Sequence, residues 1–315
     1  MSGPLPDPAF VVGAYAAMPA DPVEQDAFYR SLSEQLWIDG LELPFPGDIQ
    51  SRPGWLAGRL APTWQTNTIT AIPGTMERLR RNPVFGLASP DPAGRAEALA
   101  YAQEIRHGML RLADALGRNA IKYVQLHSAP TRIDQPDRLL ASLGQLLEWD
   151  WAGAEVVIEH CDRYFPGQVP EKGFLPLEDE IEVARQAGIG IHLNWGRSCI
   201  ETRDPAAPAR AIAATRARGR LSGVVFSGAS PSRSAYGPAW ADAHLPATPD
   251  EPSSLLGIRR IAECSRIAME PAVHGKPAAY LGAKICVPPE STLNERVVMI
   301  RTIHDVTVSP LRSSA

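Results

Sequence analysis

The chain lacks the patterns that announce the more specialised classes of protein. Its four cysteines, Cys161, Cys199, Cys264 and Cys286, include no CxxC pair, so neither a thiolate zinc site nor a disulfide scaffold is expected. No apolar run approaches the roughly 18 residues needed to span a bilayer. No Lys/Arg cluster interleaves with aromatics, and the net charge is -4 at pH 7, which argues against nucleic acid and anionic membrane as partners. The opening Met1-Ser2-Gly3-Pro4-Leu5-Pro6 has no basic segment followed by an apolar one, so no secretory signal is expected and a reducing cytoplasm is the expected location. No GxGxxG loop opens a helix, which removes the dinucleotide-binding fingerprint. Hydrophobic residues at 44% and charged residues at 21% are ordinary for a globular protein with a sizeable core.

Proline is present in excess. Its 30 copies are about twice average usage. Their positions punctuate a regular alternation. Strand patterns fall at Phe10 to Tyr15, Gly40 to Pro44, Asn67 to Ile72, Ala120 to His127, the run ending at Glu159, the run through His192, Ser222 to Ser227, and Ala278 to Val287. Helical patterns fall between them, with Asp21-Pro22, Asp91-Pro92 and Asp204-Pro205 as helix starts and Gly117 and Gly188 as stops. Seven of the eight strand patterns meet a proline soon after their C-terminal ends, where it terminates the ladder and stiffens the following loop. Eight alternating βα units in about 300 residues predict a closed (β/α)8 TIM barrel, one domain over residues 1–315. An open doubly wound sheet is the alternative. Residues 230–252 form a long loop dense in Pro, Ala and Ser, a candidate lid or subunit contact in a possible homo-oligomer.

In such barrels the chemistry sits where strands end. The two most informative stretches are Val156-Val157-Ile158-Glu159-His160-Cys161-Asp162 and Ile189-Gly190-Ile191-His192-Leu193-Asn194-Trp195-Gly196-Arg197-Ser198, apolar runs that switch abruptly to ionisable groups. Around the barrel the ends read Glu42, His127, Glu159 with His160 and Asp162, His192 with Asn194 and Arg197, Ser227, and Lys284. That is the lining of a wet, polar pocket.

The order of units, Glu159 after the fifth strand and the Leu193-Asn194-Trp195-Gly196-Arg197 run resemble xylose-isomerase-like barrels, a group of sugar isomerases, epimerases and endonuclease IV type phosphodiesterases. The likeness covers most of the chain and points to an uncharacterised bacterial branch. It implies a divalent metal (Mn, Zn or Mg) held by Glu, Asp, His and Glu after strands five to eight. Glu159 matches the first. Asn194 stands for the Asp, Arg197 for a following His, Ser227 for the His and Lys284 for the last Glu. A cation at a ligand position would repel a metal, so a lost or relocated site is expected, with Glu42, His127, His160 and His192 as other possible ligands.

The expected chemistry is proton transfer next to a carbonyl on a carbohydrate-like small molecule. Glu159 is assigned as base, Lys284 and Arg197 as stabilisers of the enediolate, and His127 or His192 as proton relay. Glu42, His160, Asn194 and Ser227 would bind substrate, and Trp195 could stack on a ring face. Elimination, or a Schiff base on Lys284, would use the same groups. A sugar-binding barrel without catalysis is the reading from another class. Plainer roles stand beside these: Glu159 as a structural ion pair with Lys284, His192 on the helix-packed face, Cys161 as a packed thiol, Asp162-Arg163 and Glu201 to Asp204 as solvated charges, and His107, His244, His274 and His304 as surface groups.

Overall fold

A computed structural model describes residues 8–270 and 276–312, with side chains to 309. Met1 to Pro6 and His274 lie outside the described residues. Eight parallel strands form a closed barrel in sequence order. The strands are β1 (Ala9–Val12), β2 (Gly40–Pro44), β3 (Asn67–Thr70), β4 (Ile121–Leu126), β5 (Glu155–Glu159), β6 (Gly190–Asn194), β7 (Leu221–Phe226) and β8 (Tyr280–Ala283). The helices are α1 (Pro22–Ser33), α2 (Asp48–Ser51), α3 (Pro53–Ala57), α4 (Ile72–Arg81), α5 (Pro92–Leu116), α6 (Pro136–Leu147), α7 (Leu177–Ala187), α8 (Trp195–Thr202), α9 (Ala207–Ala217), α10 (Ile258–Met269) and α11 (Leu293–Arg312). Among the described residues no helix is long and apolar enough to cross a membrane.

Local chemistry sets these boundaries. Asp21 accepts from the backbone N–H groups of Val23 and Glu24 to cap α1, and Asp91 accepts from Gly94 N at 2.7 Å to cap α5. Gly117 and Gly188 end α5 and α7 with φ of 69° and 73°, the left-handed region that glycine enters without strain. Several boundaries differ from the sequence expectation, among them β1 and β8, which are shorter. Ile72 and Pro73 open α4 instead of closing β3, because proline is well accommodated in a first helical turn. Asp204 binds Ala206 N and Arg210, and the helix starts later, at Ala207. A separate helix, α8, follows β6 directly, capped by Asn194.

By contacts the chain divides into two compact units: Glu42–His192, and the remainder, which runs through Leu41 and resumes at Leu193. In the first, Leu126, Leu139, Leu143, Leu146, Val156 and Ile158 are buried, and the Tyr101 hydroxyl donates to Phe45 O and Ala71 O. In the second, β1 and β8 pair in register with Val11 opposite Gly282. A Cβ on Gly282 would lie 2.3 Å from Val11 O, so the strands can approach only because that side chain is absent. Gly282→Ala is expected to destabilise by about 2 kcal/mol in urea denaturation, the usual scale of overpacking. A loss under about 0.5 kcal/mol would contradict this packing.

Candidate active site

In the Glu42–His192 unit, alternation along β5 and β6 sets the site. Glu159 ends β5 and pairs in register with His192 on β6, and Glu42 lies mid-strand on β2. One ligand atom from each of Glu42, Glu159 and His192 falls within 4.8 Å of the others, and all three are buried. His192 therefore joins the carboxylates, and the helix-packed alternative is excluded. Glu159 Oε2 accepts from Thr70 Oγ1 at 2.6 Å and lies 2.8 Å from His127 Nε2. The His127 ring sits edge-on to Phe174, with centroids 6.4 Å apart. Two buried carboxylates so close together require compensating positive charge from protons, imidazolium or a cation.

A layer outside this cluster holds it in place. His160 follows the last residue of β5, donates its backbone N–H to His192 O, and sets Nδ1 2.7 Å from Glu180 Oε2 on α7. Ser128 Oγ donates to the other oxygen of Glu180, and Leu175 N donates to Ser128 Oγ. His160 is thus committed to Glu180 and stands apart from the three-residue cluster. Asp162, expected to be solvated, is buried and accepts from Glu171 N and Lys172 N, pinning the loop before α7. Glu180 and Thr70 escaped the sequence reading. Three acids crowd the first turn of α7, and only packing shows that Glu180 faces inward.

Asp134, half-buried between β4 and α6, has its carboxyl pushed up to about 7 by burial, with Glu180 and Asp179 adding repulsion against a backbone hydrogen bond that lowers it. A carboxyl raised in the folded state stabilises the fold at low pH and loses that contribution as pH rises from about 4 through about 7. Solvent screening trims the effect at a half-buried site. Asp134→Asn should gain on the wild type by about 2 °C or more in Tm between pH 5 and pH 8. Parallel melting curves would defeat the prediction.

In the other unit, Asn194 caps α8, its Oδ1 accepting from Arg197 N at 3.1 Å and from Ser227 Oγ at 2.8 Å. Ser227 therefore orients Asn194. The Arg197 guanidinium donates through Nε to Asp242 Oδ2 at 2.9 Å, both groups buried. Trp195 is buried close to Cys264. Burial pushes the Cys264 and Cys199 thiols up to about 12, which keeps both unreactive near neutral pH. Lys284 lies just past β8, fully buried, its ammonium 5.6 Å from the Tyr15 ring centroid. Gly13 makes room for its stem, since a Cβ there would meet Lys284 Cβ at 2.7 Å.

The 230–252 segment is well tied down. Gly228 and Leu245 exchange backbone hydrogen bonds, Trp240 N donates to Ser230 O, and Cys286 N donates to His244 O. Trp240 and His244 take φ of 63° and 49°, a strained conformation on either side of Asp242. His244 is partly buried against Asp242, and His304 packs between Phe10 and Trp37, so neither is the plain surface group expected, whereas His107 is exposed. Glu201 is buried within α8.

Solved structures with a fold similar to this closed (β/α)8 barrel include xylose-isomerase-domain proteins. The chain is similar in fold to a D-tagatose 3-epimerase-like protein, with a TM-score of 0.58, 13% identity, and 98% of this chain and 100% of that one covered. It is likewise similar to a xylose isomerase domain containing protein of Salmonella typhimurium LT2, with a TM-score of 0.53, 12% identity, and 98% and 100% covered. Residues 11–299 match the family described as Domain of unknown function (DUF4862), and the chain belongs to that family. An uncharacterized protein of Salmonella typhimurium strain LT2 is 31% identical over 305 residues, 93% of this chain and 94% of its own length.

Proposed function

We propose that the protein is a sugar isomerase or epimerase that moves a proton next to a carbonyl, with Glu159 as the base. The observation that carries this reading is the buried Glu42–Glu159–His192 cluster, with Glu159 Oε2 gripped by Thr70 and His127. Thr70 and His127 both hold Oε2, which fixes the carboxylate in orientation. His127, 2.8 Å from Oε2, is placed to return the proton to a neighbouring carbon or oxygen.

Two carboxylates and an imidazole suit a divalent cation such as Mn, Zn or Mg, so Glu42, Glu159 and His192 would hold one. When bound there, a divalent cation supplies Lewis-acid polarisation of the carbonyl oxygen. This set differs from the four positions implied by the sequence likeness, three of which carry Asn194, Ser227 and Lys284.

The test is deuterium wash-in. The protein is incubated in deuterium oxide with a panel of ketoses and aldoses, as purified and after chelation, and with metal content measured in parallel. Incorporation next to the carbonyl is the expected result. A bound sugar recovered with no deuterium at that carbon would overturn the reading.

A further inference from the structure

The first turn of α8 is built to receive an oxyanion. Helix α8 starts at Trp195, the residue after β6 ends, so its first-turn N–H groups lie at a strand end. Trp195, Gly196, Arg197 and Ser198 are all buried, and no acidic residue belongs to this first turn, although Asp242 is paired with Arg197 beside it. Gly196 packs tightly there, since a Cβ would lie 2.7 Å from Ser227 Oγ.

A second observation comes from Asn194. Its Oδ1 accepts from Arg197 N, a backbone group that can only donate, so the two ends of the amide cannot be exchanged. Nδ2 is then the donor end. It is fully buried and has no hydrogen-bond partner among the described residues. An unmet buried donor costs about 1–3 kcal/mol, and a ligand acceptor would relieve it. Arg197, in the same turn, already accommodates a carboxylate, that of Asp242, at Nε.

We propose that the substrate carries an oxyanion, a carboxylate or phosphate group, that accepts from Asn194 Nδ2 at the N-terminus of α8. This rests on the sugar-isomerase reading above and narrows it to sugar acids or sugar phosphates. A sugar hydroxyl also accepts from this donor, but only an anion gains from the positive end of the helix as well.

Isothermal titration with D-glucuronate, D-fructose 6-phosphate and D-fructose tests this. At least one anionic probe should bind 10-fold or more tightly than D-fructose, and which one does so separates carboxylate from phosphate. Asn194→Asp keeps a good helix cap but turns the donor into a negative acceptor, so the preference for the anion should collapse at least 10-fold. Equal binding of all three probes, binding of none, or a preference that survives in a folded N194D protein would each overturn the proposal. If N194D does not fold, the wild-type ratio alone decides. Titration reads binding without turnover, so an anion that binds tightly yet shows no deuterium wash-in sinks the proton-transfer reading and leaves this one standing. Wash-in with neutral sugars alone does the reverse.

Discussion

Glu159→Gln is expected to lower deuterium wash-in about 1000-fold, within the range that a positioned general base supplies. Gln has nearly the same shape, and its amide oxygen can still accept from Thr70 Oγ1 as Glu159 does. What it loses is the capacity to take a proton and the negative charge beside His127 and His192. Circular dichroism and melting should therefore change little while exchange collapses. Thr70→Val provides the graded control. It removes the 2.6 Å hydrogen bond and leaves the base, so a loss of roughly 10-fold is expected from misorientation alone. Full wash-in by the Gln variant would remove Glu159 as base and turn attention to Glu42.

Asp242→Ala is expected to cost about 3 kcal/mol of stability, because the Arg197 guanidinium would lose its buried counterion. In Tm the loss should amount to about 4 to 5 °C. Urea denaturation of D242A, compared with an Arg197→Met, Asp242→Leu double variant, separates charge from packing. The double variant should recover most of the loss, since apolar replacement of a whole buried pair is often neutral. A second readout follows from Cys286, whose thiol is pushed up by burial first and by Asp242 next, with Lys284 pulling it down. Removing Asp242 should make this half-buried thiol more acidic, so alkylation by iodoacetamide should quicken. A D242A protein as stable as wild type would mean that the strained Trp240–His244 turn is held by its backbone bonds alone.

The barrel was legible because its signals are local and repeated. Asp21-Pro22, Asp91-Pro92, Gly117 and Gly188 act through their own backbone angles and hydrogen bonds, and each does in the structure what its chemistry predicts. Glu159 and His192 could be singled out because a charged residue closing an apolar strand is costly without a task. The short helix α8 was hidden because a strand pattern runs into it without a breaker, and Asn194 stood at a metal-ligand position only by the family resemblance. The burial of Trp195 close to Cys264 depends on α10, more than sixty residues away.

The residue order by itself determined the class of fold, the alternation of strand and helix, and the set of strand ends where chemistry could sit. Period-2 and period-3.6 patterns and proline punctuation are local properties, readable without any long-range contact. The tertiary structure alone decided which polar residues share a centre. It joined Glu42 and His192 to Glu159, drew His160 to Glu180 and Arg197 to Asp242, and spent Ser227 on Asn194. These pairings join residues up to 150 positions apart, Glu42 to His192, and a buried charge is satisfied by whichever partner the packing brings within about 3 Å, a distance that sequence spacing does not encode.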